Sequence, residues 1–205
     1  MIGFIQQMIN GLSIGSVYAL MAVGYSLVYS IMNFSNFAHG GVIMIGSYIG
    51  FFCISLLNFS FPVAFVTAAL GSGILAIIVE RVAYNPLRKR NAPFLYFIIS
   101  AMGASIFLEN IVVATIGPTF RTYPPVFSAT PIQIGALTIG RLDVLMFVIS
   151  AISLSILVYI IEKTKIGLAI RATSYSSKGS TLMGVNVDKV IFTIFLLGGI
   201  LAGIA

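Results

Sequence analysis

Apolar residues in this chain run in long blocks, separated by short polar breaks. From Ile2 to Val79 there is no Asp, Glu, Lys or Arg. A spanning helix needs about 20 mostly apolar residues, so this stretch alone has room for three. The blocks predict a first helix over about 13–31, a second over about 42–57 and a third over about 62–79. A fourth follows over about 94–116 and a fifth over about 141–161. The last run, 190–205, is about four residues short of a full span. Pro62 suits the first turn of the third helix, where its missing N–H is not needed. The first break reads Asn33-Phe-Ser-Asn-Phe-Ala-His-Gly-Gly41. It is either a connecting loop or a re-entrant segment, and non-helical backbone at membrane depth needs protein or a water-filled cavity around it.

The loops carry the rest of the pattern. Segment 80–93 holds Arg81, Arg88, Lys89 and Arg90, and segment 162–189 holds Lys163, Lys165, Arg171, Lys178 and Lys189. Basic loops stay cytoplasmic, so both are expected inside. Segment 117–140 then lies outside, and counting back puts the N-terminus outside too. Within that outer segment, Pro131–Gly140 reads as a small hairpin around Gly135-Ala136. Segment 165–184 reads as an amphipathic stretch followed by a short helix. Ser174, Ser176 and Ser177 are its candidate N-caps, and Gly184 fits a left-handed stop before Val185. Asn186 is placed to cap the final span, with Asp188 near the positive end of its dipole.

Composition sharpens this into a fold class. Of 205 residues, 59% are hydrophobic and 8% charged, with 11 Lys or Arg against 5 Asp or Glu. Average soluble domains carry about 25% charge. The chain is therefore expected to be an all-α polytopic membrane protein with about six transmembrane helices, forming one transmembrane domain over 1–205. A cytosolic enzyme, a nucleic-acid binder and a disordered chain are excluded. The net charge of +6 is a matter of topology rather than of nucleic-acid binding.

Little chemistry is available. One Cys and one His give no metal-ligand spacing. Ser177-Lys-Gly-Ser-Thr181 lacks the glycine and the order of a phosphate loop, and no catalytic residues are expected. Two polar sites stand out. Asn36 and His39 lie in the first break, where His39 either serves the translocation path or holds a backbone carbonyl, and Asn36 suits a helix cap. Glu109, followed by Asn110, is the acid placed well inside a predicted span, either in the translocation path or hydrogen-bonded to a neighbouring helix. The pairs Gly11 and Gly15, Gly46 and Gly50, and Gly199 and Gly203 have helix-packing spacing.

Three strings carry a family resemblance. They are Asn10-Gly-Leu-Ser-Ile-Gly-Ser-Val-Tyr-Ala-Leu20, Asn36-Phe-Ala-His-Gly40 with Met44-Ile-Gly46, and Gly167-Leu-Ala-Ile-Arg-Ala172 with Leu182-Met-Gly-Val-Asn-Val-Asp-Lys-Val190. In order along the chain they resemble the branched-chain amino-acid permease subunits of ATP-binding-cassette importers. The resemblance implies a coupling helix on a separate ATPase, at Lys178, Gly179, Ser180, Leu182, Met183 and Gly184. The family's Glu-Ala-Ala is absent there, and its Gly is present as Gly184. The acid that commonly follows His-Gly is replaced by Gly41.

The resemblance further implies a second homologous permease subunit, an extracytoplasmic substrate-binding protein, the lipid bilayer of a prokaryotic inner membrane, and ATP and Mg held by the ATPase alone, with no cofactor in this chain. The expected cargo is a branched-chain or other hydrophobic amino acid; urea or a short amide is the alternative within the family. Outside it, the alternatives are an ATPase-independent transporter or channel, and a membrane scaffold without transport. Similar proteins run on for several more spans, which makes 205 residues read as a C-terminally truncated chain.

Overall fold

The computed structural model describes residues 2–119, 121–124, 132–134 and 137–205. Nine α-helices occur among them: α1 (Ile2–Met32), α2 (Ala38–Ser55), α3 (Phe61–Val79), α4 (Asn85–Lys89), α5 (Phe94–Ile116), α6 (Arg141–Lys163), α7 (Lys165–Tyr175), α8 (Ser177–Leu182) and α9 (Val187–Ile204). A π turn, Glu80–Tyr84, joins α3 to α4 without a break. Two strands, β1 (Ile132–Ile134) and β2 (Leu137–Ile139), pair antiparallel as the expected hairpin. Its two turn residues, Gly135 and Ala136, lie outside the described residues. Among the described residues, six helices are long and apolar enough to span a membrane: Gly3–Met32, Ala38–Ser55, Phe61–Lys89, Phe94–Ile116, Arg141–Lys163 and Val187–Ile204. The protein is thus an all-α polytopic membrane protein.

Asparagine ends three of the helical segments. Asn33, Asn58 and Asn91 have φ of 53°, 52° and 49°. This left-handed geometry is one that Asn tolerates because its short polar side chain bonds locally. After Asn91 the chain closes a Schellman stop, with Ala92 N–H donating to the Leu87 carbonyl (3.0 Å) and Asn91 N–H to that of Arg88 (3.0 Å). Ser60 is extended and Pro62 falls in the first turn of α3, as its rigid φ favours.

Several expected boundaries move. The first helix starts at Ile2 rather than near residue 13, because Gln6, Gln7 and Asn10 are tolerated in its first turns. The first break shrinks to 33–37, so His39, Gly40 and Gly41 are helical. Segment 80–93 is not a loop: the helix begun at Phe61 continues through the π turn to Lys89. Segment 162–189 is mostly helical as well.

The core is a seam of small residues around α9. A Cβ on Gly199 would meet the Ala76 Cβ at 2.6 Å and the Ser72 carbonyl at 2.7 Å, and one on Gly203 would meet the Ala68 carbonyl at 2.5 Å. On the other side of α9, a Cβ on Gly198 would lie 3.0 Å from the Gly24 carbonyl of α1. Lipid tails are as apolar as any side chain, so packing at backbone contact, rather than exclusion from water, holds such helices together. Gly46 of α2 sits equally tight on Ser72. Gly11 and Gly15 behave differently: a methyl group added at either would find no neighbour within 4 Å. Their spacing serves no contact among the described residues.

The two ends of the bundle are distinct. Gln6 of α1 brackets β2, accepting from Thr138 N–H (2.9 Å) and donating to its carbonyl (2.6 Å), so the N-terminus and the hairpin share one end. At the other end Ser174 of α7 donates to the Ser30 carbonyl of α1 (2.7 Å). Gly199→Val is expected to cost about 1–3 kcal/mol through overpacking at the α3–α9 seam. Gly11→Ala should change stability by no more than about 0.5 kcal/mol. Thermal denaturation of the detergent-solubilised protein compares the two.

Candidate functional site

The end of the bundle that carries the basic segments is built from short, well-capped helices. Thr164 Oγ1 accepts from Gly167 N–H (3.0 Å) and starts α7. Gly167 lies so close to the Ile160 and Ile161 carbonyls that no side chain fits, which lets α7 turn directly under α6. Ile170 and Thr173 of α7 are buried. Ser176 Oγ accepts from Gly179 N–H (3.1 Å) and starts α8. The stop is a Schellman motif, with Val185 N–H on the Ser180 carbonyl (3.0 Å) and Gly184 N–H on that of Thr181 (3.0 Å). Gly184 has φ of 82°, where a Cβ would be strained. Asn186 Oδ1 accepts from Lys189 N–H (3.0 Å) and caps α9.

This scaffold decides which side chains are presented. Ser180 is buried, and Lys178 is exposed beside the half-buried Gly179. Leu182 and Met183 are each 87% exposed and Tyr175 is 96% exposed. The capped turn thus holds these apolar side chains outward, away from the bundle. Gly179 is tolerated in α8 because the Ser176 cap recovers part of the helix propensity it lacks.

A polar chain runs inward from this surface. Arg88 donates to Glu80 Oε1 (2.9 Å) and, through its other terminal nitrogen, to Asp188 Oδ1 (2.9 Å). Arg81 sits farther off, 3.8 Å from Glu80. One guanidinium therefore ties the π turn after α3 to the first turn of α9. Glu80 is buried and Asp188 is exposed, so the two pairs differ in worth. The π turn also aims Tyr84, fully buried, at the first break. Its hydroxyl donates to Asn36 Oδ1 (2.6 Å). Its ring meets Phe34 edge-on at 5.0 Å and packs beside Phe195 of α9 at 5.7 Å. Phe34 in turn packs on Phe97 of α5. The break is a loop whose Phe34 is driven into the core while Phe37 stays exposed.

The expected path residues divide into two groups. Asn36 and His39 are both buried and line a small internal cavity of about 10 Å³ with Phe195 and Gly198. Asn36 does not cap α2 with its side chain; Phe37 holds the cap position, and Tyr84 has claimed the Asn36 oxygen. His39 faces α1 at Gly24 and stands edge-on to Tyr25, with Nε2 unpartnered among the described residues. Glu109 and Asn110 are exposed on α5. Glu109 accepts from Ser105 Oγ (3.0 Å) and Asn110 donates to the Ile106 carbonyl (2.7 Å), both within the helix. This chain does not bring them to Asn36 and His39.

The buried acid in a spanning helix is Glu80, which the sequence placed in a loop. The signal was available: Val79-Glu-Arg-Val-Ala-Tyr84 contains no helix breaker, and Arg88 follows Glu80 about two turns on. Asp188, a hundred residues away, had no such signal.

The family described as the branched-chain amino acid transport system / permease component matches residues 7–205. The high-affinity branched-chain amino acid transport system permease protein BraD of Pseudomonas aeruginosa is 36% identical, over 98% of this chain and 69% of its own length. The permease protein LivH of Escherichia coli K12 is 35% identical over the same shares. A probable LivH of Methanocaldococcus jannaschii is 28% identical, over 93% of this chain and 61% of its own. No solved structure matches the chain.

Arg88→Met leaves the buried Glu80 carboxylate only the more distant Arg81 and should destabilise the protein by about 3 kcal/mol. Adding Glu80→Gln should recover a large part of that loss. Asp188→Asn, at an exposed partner, should cost about 1 kcal/mol or less. Unfolding of the three variants, measured side by side, tests the ranking.

Proposed function

We propose that this chain, which belongs to the family of permease components of branched-chain amino acid transport systems, moves a branched-chain or similar hydrophobic amino acid inward under the drive of a separate ATPase. The ATPase binds ATP and Mg, and this chain supplies the membrane path. A second homologous permease subunit completes the path, and an extracytoplasmic binding protein delivers the cargo. The observation that carries this reading is the exposed Leu182–Met183 pair on a helix capped at both ends. Nine of the 11 basic residues lie at that end of the chain's topology, in segments 80–93 and 162–189. The positive-inside rule supports a cytoplasmic position for this end, and the membrane in our reading is a prokaryotic inner membrane. The hairpin and the N-terminus, joined through Gln6 and Thr138, lie outside.

The geometry supports a route for the drive. A push on α8 reaches α9 through Gly184–Asn186, because α8 and α9 are separated by four residues with little slack. Asp188 passes it to Arg88, and Arg88 to the π turn. Tyr84 stands on that turn and holds Asn36 at the internal cavity. π turns frequently mark functional sites because one extra residue per turn is easily gained or lost. Docking at α8 and repacking at Asn36 are thus linked by one continuous chain of contacts through the π turn.

Leu182→Asp combined with Met183→Asp should abolish co-purification with the ATPase while leaving extraction yield and thermal stability unchanged, since both side chains are almost wholly exposed. ATP-dependent uptake should fall with it. Uptake that persists without ATP would overturn the reading.

A further inference from the structure

The end of the bundle opposite α8 contains two cavities that share a wall. The first, about 440 Å³, lies between α1, α2, α3, α6 and α9 and is lined by aliphatic, aromatic and small residues, among them Gly50, Met146 and Ile149. The second, about 330 Å³, lies between α2, the last turn of α5 and the segment after it, and contains Arg121. Ser47 and Tyr123 line both. The Tyr123 hydroxyl donates to the Ser47 carbonyl (2.5 Å), and its ring stands edge-on to Phe51. Tyr123 is therefore the partition.

Each part has a distinct chemical preference. The side chains that line the larger cavity are uncharged among those described, so it favours an aliphatic group. Arg121 makes one long hydrogen bond, to the Ile116 carbonyl (3.4 Å). Among the described residues it has no carboxylate partner. A guanidinium has five N–H donors in a fork that matches a carboxylate, so most of its donors are uncommitted among those residues. The Ser47 carbonyl is a helical acceptor whose second lone pair is taken by a phenol. An ammonium group can replace that donor with a stronger, charge-assisted bond.

We propose that these cavities form one entry site for an aliphatic amino acid. Its carboxylate pairs with Arg121, its ammonium displaces the Tyr123 hydroxyl from the Ser47 carbonyl, and its side chain enters the larger cavity as Tyr123 swings aside. The assignment of the ligand rests on the importer reading above; the division into one cationic and one apolar chamber does not. Tyr123 acts as an internal stand-in for the ammonium, which keeps the chamber closed when no substrate is present.

The test is equilibrium binding of leucine to the purified permease–ATPase complex in nanodiscs, with the external binding protein omitted. Arg121→Gln should weaken leucine binding about tenfold or more, and Arg121→Lys should recover part of it. Tyr123→Phe should tighten leucine binding several-fold, a gain that a merely structural tyrosine would not give. Met146→Trp should weaken leucine about tenfold and leave alanine within about twofold. Two truncated ligands, 3-methylbutylamine and 4-methylpentanoate, should each bind at least about tenfold more weakly than leucine. Leucine binding that is absent from the wild-type complex, or indifferent to Arg121→Gln, overturns the site. ATPase co-purification is scored on the same samples. Arg121-dependent binding without an attached ATPase would support the site and overturn the importer reading; Arg121-independent binding with the ATPase attached would do the reverse.

Discussion

The close approach of α9 to α3 and α1 is the constraint on which the other features depend. In hydrocarbon no solvent drives helices together, and association rests on contact area and on backbone proximity. Gly198, Gly199 and Gly203 let α9 lie directly against Gly24, Ser72, Ala76 and Ala68, with no side chain of its own at the contact. Because α9 is seated this deeply, its N-terminus is held where Asp188 can reach Arg88, and Phe195 is held where it can support Tyr84. A bulkier α9 would move both, and the polar connection would open at each end.

The polar connection is economical in charge. Arg88 is shared between a buried and an exposed carboxylate, so it stays paired even if one contact breaks. Buried pairs add little net stability because desolvation offsets attraction, but removing one partner is costly. Such a bridge is better suited to holding two segments in register than to strengthening the fold. The π turn gives the same impression. It places Glu80 and Tyr84 on the interior, at the cost of regular hydrogen bonding over one turn, and these two residues carry the contacts to α9 and to Asn36.

Two ends of very different character follow. At the basic end, successive side-chain caps, from Thr164, Ser176 and Asn186, hold three helices in a tight sequence and expose Leu182 and Met183. At the other end the helices part, leaving the apolar and cationic cavities with Tyr123 between them. The fold is packed tightly at its centre and is most open at its two ends. α5 and α6 bury the least of the spanning helices, and α5 takes Glu109 and Asn110 with it to the periphery.

Much of this was legible in the sequence. Block length alone determined the six spans, because each needs about 20 apolar residues and the chain offers few other places to put them. The Gly184 stop, the Asn186 cap and the hairpin at 132–139 were legible for a local reason: each depends on residues a few positions apart. The extent of α1, the helical course of 80–89 and the helical state of His39 were not, since polar residues at a helix end read like loop residues until packing is known. Tertiary structure alone decided that Asn36 bonds to Tyr84 rather than capping α2, that Arg88 meets Asp188, and that Glu109 stays apart from His39. The physical reason is distance along the chain: partners 48 or 100 residues apart leave no periodicity to read. Their meeting is set by how closely α9 lies on its neighbours.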